Sequence, residues 1–379
     1  MTATTFASTG ASADASSGES AATAAAAATP LPDPRFTAGR GYLAACTLGI
    51  PAAPTVAAVA RDLERWRDGR ASAAEYTGVV ERARGRAATL LGTTADRVAV
   101  GSQVSVFTGL VAASAPAGAE VLCVDGDFSS VVAPFLARGD LRVRHVPLAH
   151  LADEVRPSTW LVAFSLVQSA TGEVADAASV IAAARSAGAL TLVDTTQATG
   201  WLPTTDLGAD LVVCHAYKWL SAPRGAAFMS TSDRALDEIT PLTAGWYSGE
   251  DPWASCYGPE LYLAAGARRF DVSPAWHAWV GAEAALELAA GLDPSAVLAH
   301  DLGLANGFRA RLGLEASASA IVTWPDCDGD DLAALTAAGL IASGRAGRAR
   351  VAFHVWNDEE DVERAATAVR TGRHGPGWR

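Results

Sequence analysis

From Arg61 onward, short apolar strands alternate with helix-length segments, and this alternation restricts the chain to an α/β fold around a largely parallel sheet. The pattern predicts helices over Val56–Arg67, Ala74–Leu91, Gln103–Ala113, Ser129–Arg138 and Ala175–Ala187. It predicts strands over Arg97–Val100, Val121–Val124, Arg142–Val146, Trp160–Leu166, Leu190–Asp194 and Leu211–Cys214, with one more at Ala226–Met229 reversed in direction. The 14 residues from Gln197 to Asp210 just suffice for a crossover between parallel strands. Asp194 and Lys218 then emerge at one sheet edge, the edge where open α/β folds bind ligands. A further helix is expected at Ala278–Ala290, with a small α+β unit closing the chain.

Lys and Arg together number 29, and one of them, Lys218, is a lysine. A guanidinium stays protonated and is a poor nucleophile, whereas a desolvated amine can lose its proton and attack a carbonyl. In so arginine-rich a chain, the lone lysine marks a position where an amine is required.

Four stretches supply groups suited to one cofactor. Asp194 ends a strand in Leu192-Val-Asp-Thr-Thr-Gln197, where a buried carboxylate can keep a pyridine nitrogen protonated, and Gln197 stands one turn later to reach a ring oxygen. At about 4 Å such a charge pair is worth roughly 4 kcal/mol at an effective dielectric near 20. His215 and Tyr217, just before Lys218, can donate to a phosphate. Ser102 and Gln103 follow a strand and a glycine at a helix start, whose free N–H groups and dipole suit the same anion. Phe128, after another strand, can stack on an aromatic ring. An amine, a ring-nitrogen acid, a phosphate cradle and a stacking ring point to pyridoxal 5'-phosphate (PLP), held on Lys218 as a Schiff base.

From about residue 40 onward the chain resembles the class V aminotransferase family of fold type I, which also holds cysteine desulfurases and kynureninases. The likeness rests on Val193-Asp-Thr-Thr-Gln-Ala-Thr-Gly200, Gly208-Ala-Asp210, Tyr217-Lys-Trp-Leu220 and Pro223-Arg-Gly225, in order and at the family's spacing. It implies a large PLP domain with a mostly parallel seven-stranded sheet and a small C-terminal α+β domain. The expected boundaries are a disordered tail over residues 1–34, the N-terminal segment and large domain over 35–265, and the small domain over 266–379. It also implies that Asp194 pairs with the ring nitrogen, Gln197 with the ring hydroxyl, and Ser102 and Gln103 with the phosphate. Gly245-Trp-Tyr247 is similar to a kynureninase segment near the phosphate and substrate, which brings in Trp246 and Tyr247. Phe270-Asp-Val-Ser-Pro274 is similar to a segment reaching the partner subunit, which makes Ser273 a phosphate ligand across a homodimer interface. Arg350, in Arg350-Val-Ala-Phe-His-Val-Trp-Asn357, resembles the arginine that pairs with the substrate carboxylate. Gln168, with Ser169 and Thr171, is a candidate for the substrate pocket.

Tyr217 before the lysine follows the kynureninase pattern, whereas Gln197 follows the desulfurase pattern. The segment Ala342–Gly347 carries no cysteine, which argues against a persulfide-forming desulfurase. The first expectation is therefore an aminotransferase acting on an amino acid. The second is a lyase cleaving at Cβ of a kynurenine-like or cysteine-derived amino acid, and the third a non-catalytic relative that binds a ligand.

A net charge of -12 without a basic run argues against a nucleic-acid surface or an anionic membrane. Five cysteines without metal-ligand spacing suggest reduced thiols in the cytoplasm and no metal site. Residues 1 to about 30 are Ala, Ser and Thr with too little apolar bulk to offset the entropy of ordering, and without a cation for a signal sequence. No stretch of 18 strongly apolar residues suggests a membrane span.

Overall fold

Strands buried on both faces can sit only inside a covered sheet, and β1 (Val98–Gly101), β2 (Glu120–Val124), β4 (Thr159–Ser165), β5 (Leu190–Asp194) and β6 (Leu211–His215) are nearly all of that kind. A computed structural model describes residues 29–258, 260 and 262–373. In it these strands join β3 (Arg142–Val146) and β7 (Ala227–Thr231) in a seven-stranded sheet of order β1-β7-β6-β5-β4-β2-β3. Neighbours from β3 to β6 run parallel, and β7 runs antiparallel to both β1 and β6. The mostly parallel sheet and the reversed strand are as the pattern predicts. A second, antiparallel sheet of order β8-β10-β9 is built from β8 (Ile321–Pro325), β9 (Ser343–Arg345) and β10 (Arg348–Ala352).

Around the large sheet lie α1 (Ala53–Arg67), α2 (Ala73–Leu91), α3 (Val104–Ser114), α4 (Ser129–Leu136), α5 (Ala177–Ala187), α6 (Asp233–Glu238) and α7 (Trp276–Ala290). The helices α8 (Pro294–Arg311), α9 (Asp330–Ala337) and α10 (Glu359–Arg373) accompany the small sheet. Local chemistry fixes their ends. Asp176 caps α5 by accepting from the Ser179 N–H at 3.1 Å, and Gly188 closes it at φ 76°. Proline near the start of α1 and at the start of α8 uses a position whose N–H has no helical partner. Three helices, α1, α2 and α7, begin one to three residues before the starts that the pattern predicts.

The crossover between β5 and β6 is a run of turns rather than a helix, closed by the positive-φ residues Gly200 and Gly208. The expectation of a disordered tail is corrected for its last residues, while residues 1–28 lie outside the described ones. The Asp33 N–H donates to the Val355 carbonyl at 2.7 Å, its carboxylate takes Arg35, and the Phe36 ring packs at a tilt against Trp356, 5.1 Å between centroids. The change in sequence from small residues to Leu31, Arg35 and Phe36 supplies the apolar and charged side chains that make these contacts.

Residues 42–44 run beside the small sheet: the Leu43 N–H reaches the Ile341 carbonyl and the Ala352 N–H reaches the Leu43 carbonyl, both at 2.8 Å. This path delivers Cys46 and Thr47 to the C-terminal edge of β4, β5 and β6.

Candidate active site

Asp194 ends β5 and Lys218 follows β6, so the parallel pairing of the two strands carries both to one edge. The Asp194 carboxylate accepts the Thr196 N–H at 2.8 Å, a local Asx contact two residues along. It is wholly buried, and desolvation raises its pKa to about 6 against the opposing Thr196 bonds and the Lys218 charge. Lys218 is also buried, and desolvation lowers its amine to about 8, against the opposing pull of Asp194. Its Nζ faces the rings of Phe128 at 5.4 Å and Tyr217 at 5.7 Å and makes no hydrogen bond or ion pair among the described residues. An amine so placed can shed its proton near neutral pH and react.

Phe128 is held at the start of α4 by Asp127, which accepts the Phe128 N–H at 2.6 Å and the Ser165 N–H at 2.8 Å. Gln103 caps α3 with no side-chain bond to the helix, so the first N–H groups of α3 are left for an anion beside Ser102. Tyr217 lies with the Arg224 guanidinium 4.3 Å over its ring, adding a cation at the edge of this region.

Arg350 projects from β10, 1% exposed. Its Nη2 donates to Thr47 Oγ1 at 2.7 Å, its Nε to Ser343 Oγ at 3.2 Å, and its Nη1 to the carbonyl and hydroxyl of Ser169. All are neutral acceptors. A buried guanidinium without a carboxylate partner among the described residues is suited to receive one from a ligand.

Several expected site residues are placed differently. The Gln197 amide is engaged within the protein: Nε2 donates to the Cys46 carbonyl at 2.9 Å and Ser169 Oγ at 3.1 Å, and Oε1 accepts Trp219 Nε1 at 3.0 Å. His215 turns inward, its Nε2 facing the Gly225 N–H at 3.5 Å, and desolvation lowers its pKa to about 4, so the ring is neutral. Tyr247 is the clearest correction. It is 1% exposed in the core between β1, α2 and α7, its hydroxyl lacks a hydrogen bond, burial pushes its pKa up to about 12, and the charges acting on it are Glu81, Arg84, Asp271 and Arg268 rather than Lys218 or Arg350. Its neighbour Trp246 is half-buried, with its ring 5.1 Å from those of Trp253 and Tyr247. Ser273 is exposed beside the β1 edge, one residue after the Val272 N–H bond to the Val100 carbonyl. Gln168 bonds the Ser165 carbonyl at 3.2 Å, and it is Ser169 that meets Arg350.

Thr47, Thr196, Asp127 and Trp219 were not singled out from sequence. The Asp-Thr-Thr after a strand was a readable Asx signal for Thr196. For Thr47, which touches Arg350 across 303 positions, no local signal exists.

PLP fits this set of groups: an unbonded buried amine, a buried acid at the adjacent strand end, an aromatic ring beside the amine, and an uncapped helix start.

A family model for class V aminotransferases matches residues 67–326. Kynureninase from Deinococcus radiodurans is 32% identical over 65% of this chain and 62% of its own length. Isopenicillin N epimerase from Streptomyces clavuligerus is 27% identical over 60% of this chain and 62% of its own. An uncharacterized aminotransferase, YcbU, from Bacillus subtilis is 27% identical over 76% and 82%. The matches thus span 62% of the length of the first two relatives. A solved cystine C-S lyase in complex with cysteine persulfide superposes with a TM-score of 0.79 at 21% identity, covering 88% of this chain and 98% of that one. That likeness is one of fold.

Proposed function

The chain belongs to the class V aminotransferase family and is a PLP-dependent enzyme, and we propose that it is an aminotransferase acting on an α-amino acid through Lys218. One observation carries this reading: the buried, unbonded Lys218 amine is near enough to both Asp194 and the carboxylate-free Arg350 for each to act on its charge. When bound, PLP supplies an electron-withdrawing ring that acidifies the substrate Cα–H bond. Ser102, Gln103 and the start of α3 would hold its phosphate, Phe128 would supply an aromatic face for the ring, and Asp194 would keep the ring nitrogen protonated. Arg350 exchanges its neutral partners for the substrate carboxylate, which fixes Cα relative to Lys218. Lys218 Nζ, its pKa lowered by burial to about 8, takes the Cα proton in its neutral form and holds it for redelivery. Gln197 supports the site from behind, tying Trp219, Ser169 and the Cys46 carbonyl together.

Transfer is favoured over Cβ cleavage because, of the aromatic groups that suggested a lyase, Tyr247 is packed in the core and Trp246 packs against Trp253 and Tyr247. The lyase reading retains Tyr217, which adjoins Lys218, and the kynureninase relatives. Borohydride reduction of the loaded protein should fix the cofactor on the peptide containing Lys218, and a Lys218→Ala variant should take up none. Label elsewhere would sink the assignment. Single-turnover reaction with amino acids then separates the two chemistries. A pyridoxamine product with an oxo acid supports transfer, whereas alanine or pyruvate with a released fragment supports cleavage.

We further propose a homodimer in the cytoplasm. The exposed Leu242, Trp253, Tyr257 and Tyr262 near the Trp246 segment, and Ser273 beside β1, support the first. The five free cysteines support the second. Sedimentation giving the monomer mass at micromolar concentration would remove the dimer.

A further inference from the structure

His354, two residues after β10, is buried with both ring nitrogens engaged. Nε2 faces the Trp219 carbonyl at 2.9 Å and Nδ1 faces Asp301 Oδ2, on α8, at 2.6 Å. A carbonyl only accepts, so Nε2 carries a hydrogen. The short contact to the carboxylate then requires a second proton between Nδ1 and Oδ2. Asp301 is wholly buried, its other oxygen lacks a hydrogen bond, and desolvation raises its pKa against the pull of His354. A carboxylate placed this way has one evident task, to orient the imidazole.

The far end of that imidazole meets the backbone of the residue next to Lys218. Trp219 in turn donates its indole N–H to Gln197 Oε1 at 3.0 Å, and Gln197 reaches Ser169, which holds Arg350. The Trp219 ring also lies edge-on to His354 at 5.1 Å. Gly200, at φ 117°, packs under Trp219, where a Cβ would lie 2.9 Å from the Trp219 Cβ, so the lysine hairpin is confined on a second side.

We propose that His354 and Asp301 are a positioning pair: an oriented N–H donor, delivered from the small-sheet side, that holds the Trp219 carbonyl and so sets Lys218 and Gln197 in place. This rests on the reading of Lys218 as the cofactor-bearing amine. A merely structural role, cementing α8 to the end of β10, would leave Lys218 untouched when the contact to Trp219 is lost.

The test uses the fact that Lys218 is the chain's one lysine. The pH dependence of its acylation by acetic anhydride in the cofactor-free protein, read on the Lys218 peptide apart from the N-terminus, reports the amine without any catalysis. His354→Asn can reach Asp301 but not Trp219, whereas His354→Gln can place an amide N–H near the former Nε2. With His354→Asn, loosening the hairpin should hydrate Lys218, move its inflection up toward an ordinary lysine, and weaken PLP binding about tenfold, as expected for a buried carbonyl losing its donor. His354→Gln should restore both to within about threefold of the parent. An unchanged inflection and PLP affinity in folded His354→Asn, even with a lowered denaturation midpoint, would overturn the proposal, as would equal losses in both variants. Should His354→Asn fail to fold, Asp301→Asn removes the orienting anion instead. A raised inflection is then expected, and an unmoved one overturns the pair's role. If borohydride left no label on Lys218, the functional reading would fail while the acylation profile still judged the pair.

Discussion

Desolvation governs the protonation states at the centre of the site. It holds Asp194 near 6 and Lys218 near 8, bringing each toward the other across neutral pH. An acid whose folded pKa lies above its unfolded value binds more protons when folded between the two. The stability tied to Asp194 is therefore full below its ordinary value of 3.8 and is lost as pH rises through about 6. His215, lowered to about 4 by burial, acts in the opposite sense over the range up to its ordinary value of 6.5. Subtraction separates them. In the cofactor-free protein, the urea midpoint of the parent relative to Asp194→Asn should fall between about pH 4 and 6 and then level off. A constant difference would mean that Asp194 is not buried as a charge. In the loaded enzyme, the same variant should lower turnover by about 10²–10³, the range set by a charge pair of roughly 4 kcal/mol at about 4 Å.

At the scale of elements, the lysine hairpin depends on the strap over residues 46–49. The Gly49 N–H donates to the Tyr217 carbonyl at 2.8 Å, and a Cβ at Gly49 would stand 1.9 Å from the Lys218 carbonyl. Backbone cannot yield as a flexible side chain can. Gly49→Ala should therefore cost about 1–3 kcal/mol in denaturant unfolding and loosen PLP, measured by retention on dialysis. On the opposite flank, Asp271 accepts the Val100 N–H at 2.8 Å and pairs with buried Arg84 at 2.6 Å, pinning the segment after η-turn Ala267–Phe270 against the β1 edge. Arg84→Met strands that carboxylate, and chemical denaturation should show a loss of about 3–5 kcal/mol. The strand edges and helix starts beside Asp194, Ser102 and Lys218 were readable from sequence because each follows from local pattern: a buried run, a glycine, a helix. The strap was not, since nothing in Cys46, Thr47 or Gly49 announces a partner more than a hundred residues away.

The whole molecule assembles the site from three sources: the C-terminal edge of the large sheet, the strap, and strands β9 and β10 of the small sheet. Arg350 shows the consequence, because its partners Ser169, Thr47 and Ser343 come from all three. Arg350→Lys keeps the charge but loses the planar fork, so kcat/KM for amino acids should fall about 10- to 100-fold, with the single-turnover rate of an amine lacking the carboxylate unchanged. Equal losses for both substrates would place Arg350 in the scaffold instead. The sequence by itself determined the α/β class, the sheet edge carrying Asp194 and Lys218, and the family, because strand periodicity and motif spacing are local properties. Tertiary structure decided what each side chain does there. It turned Gln197 and His215 inward, sank Tyr247 into the core and brought His354 to the lysine hairpin, because hydrogen-bond partners and burial are set by which distant segments meet.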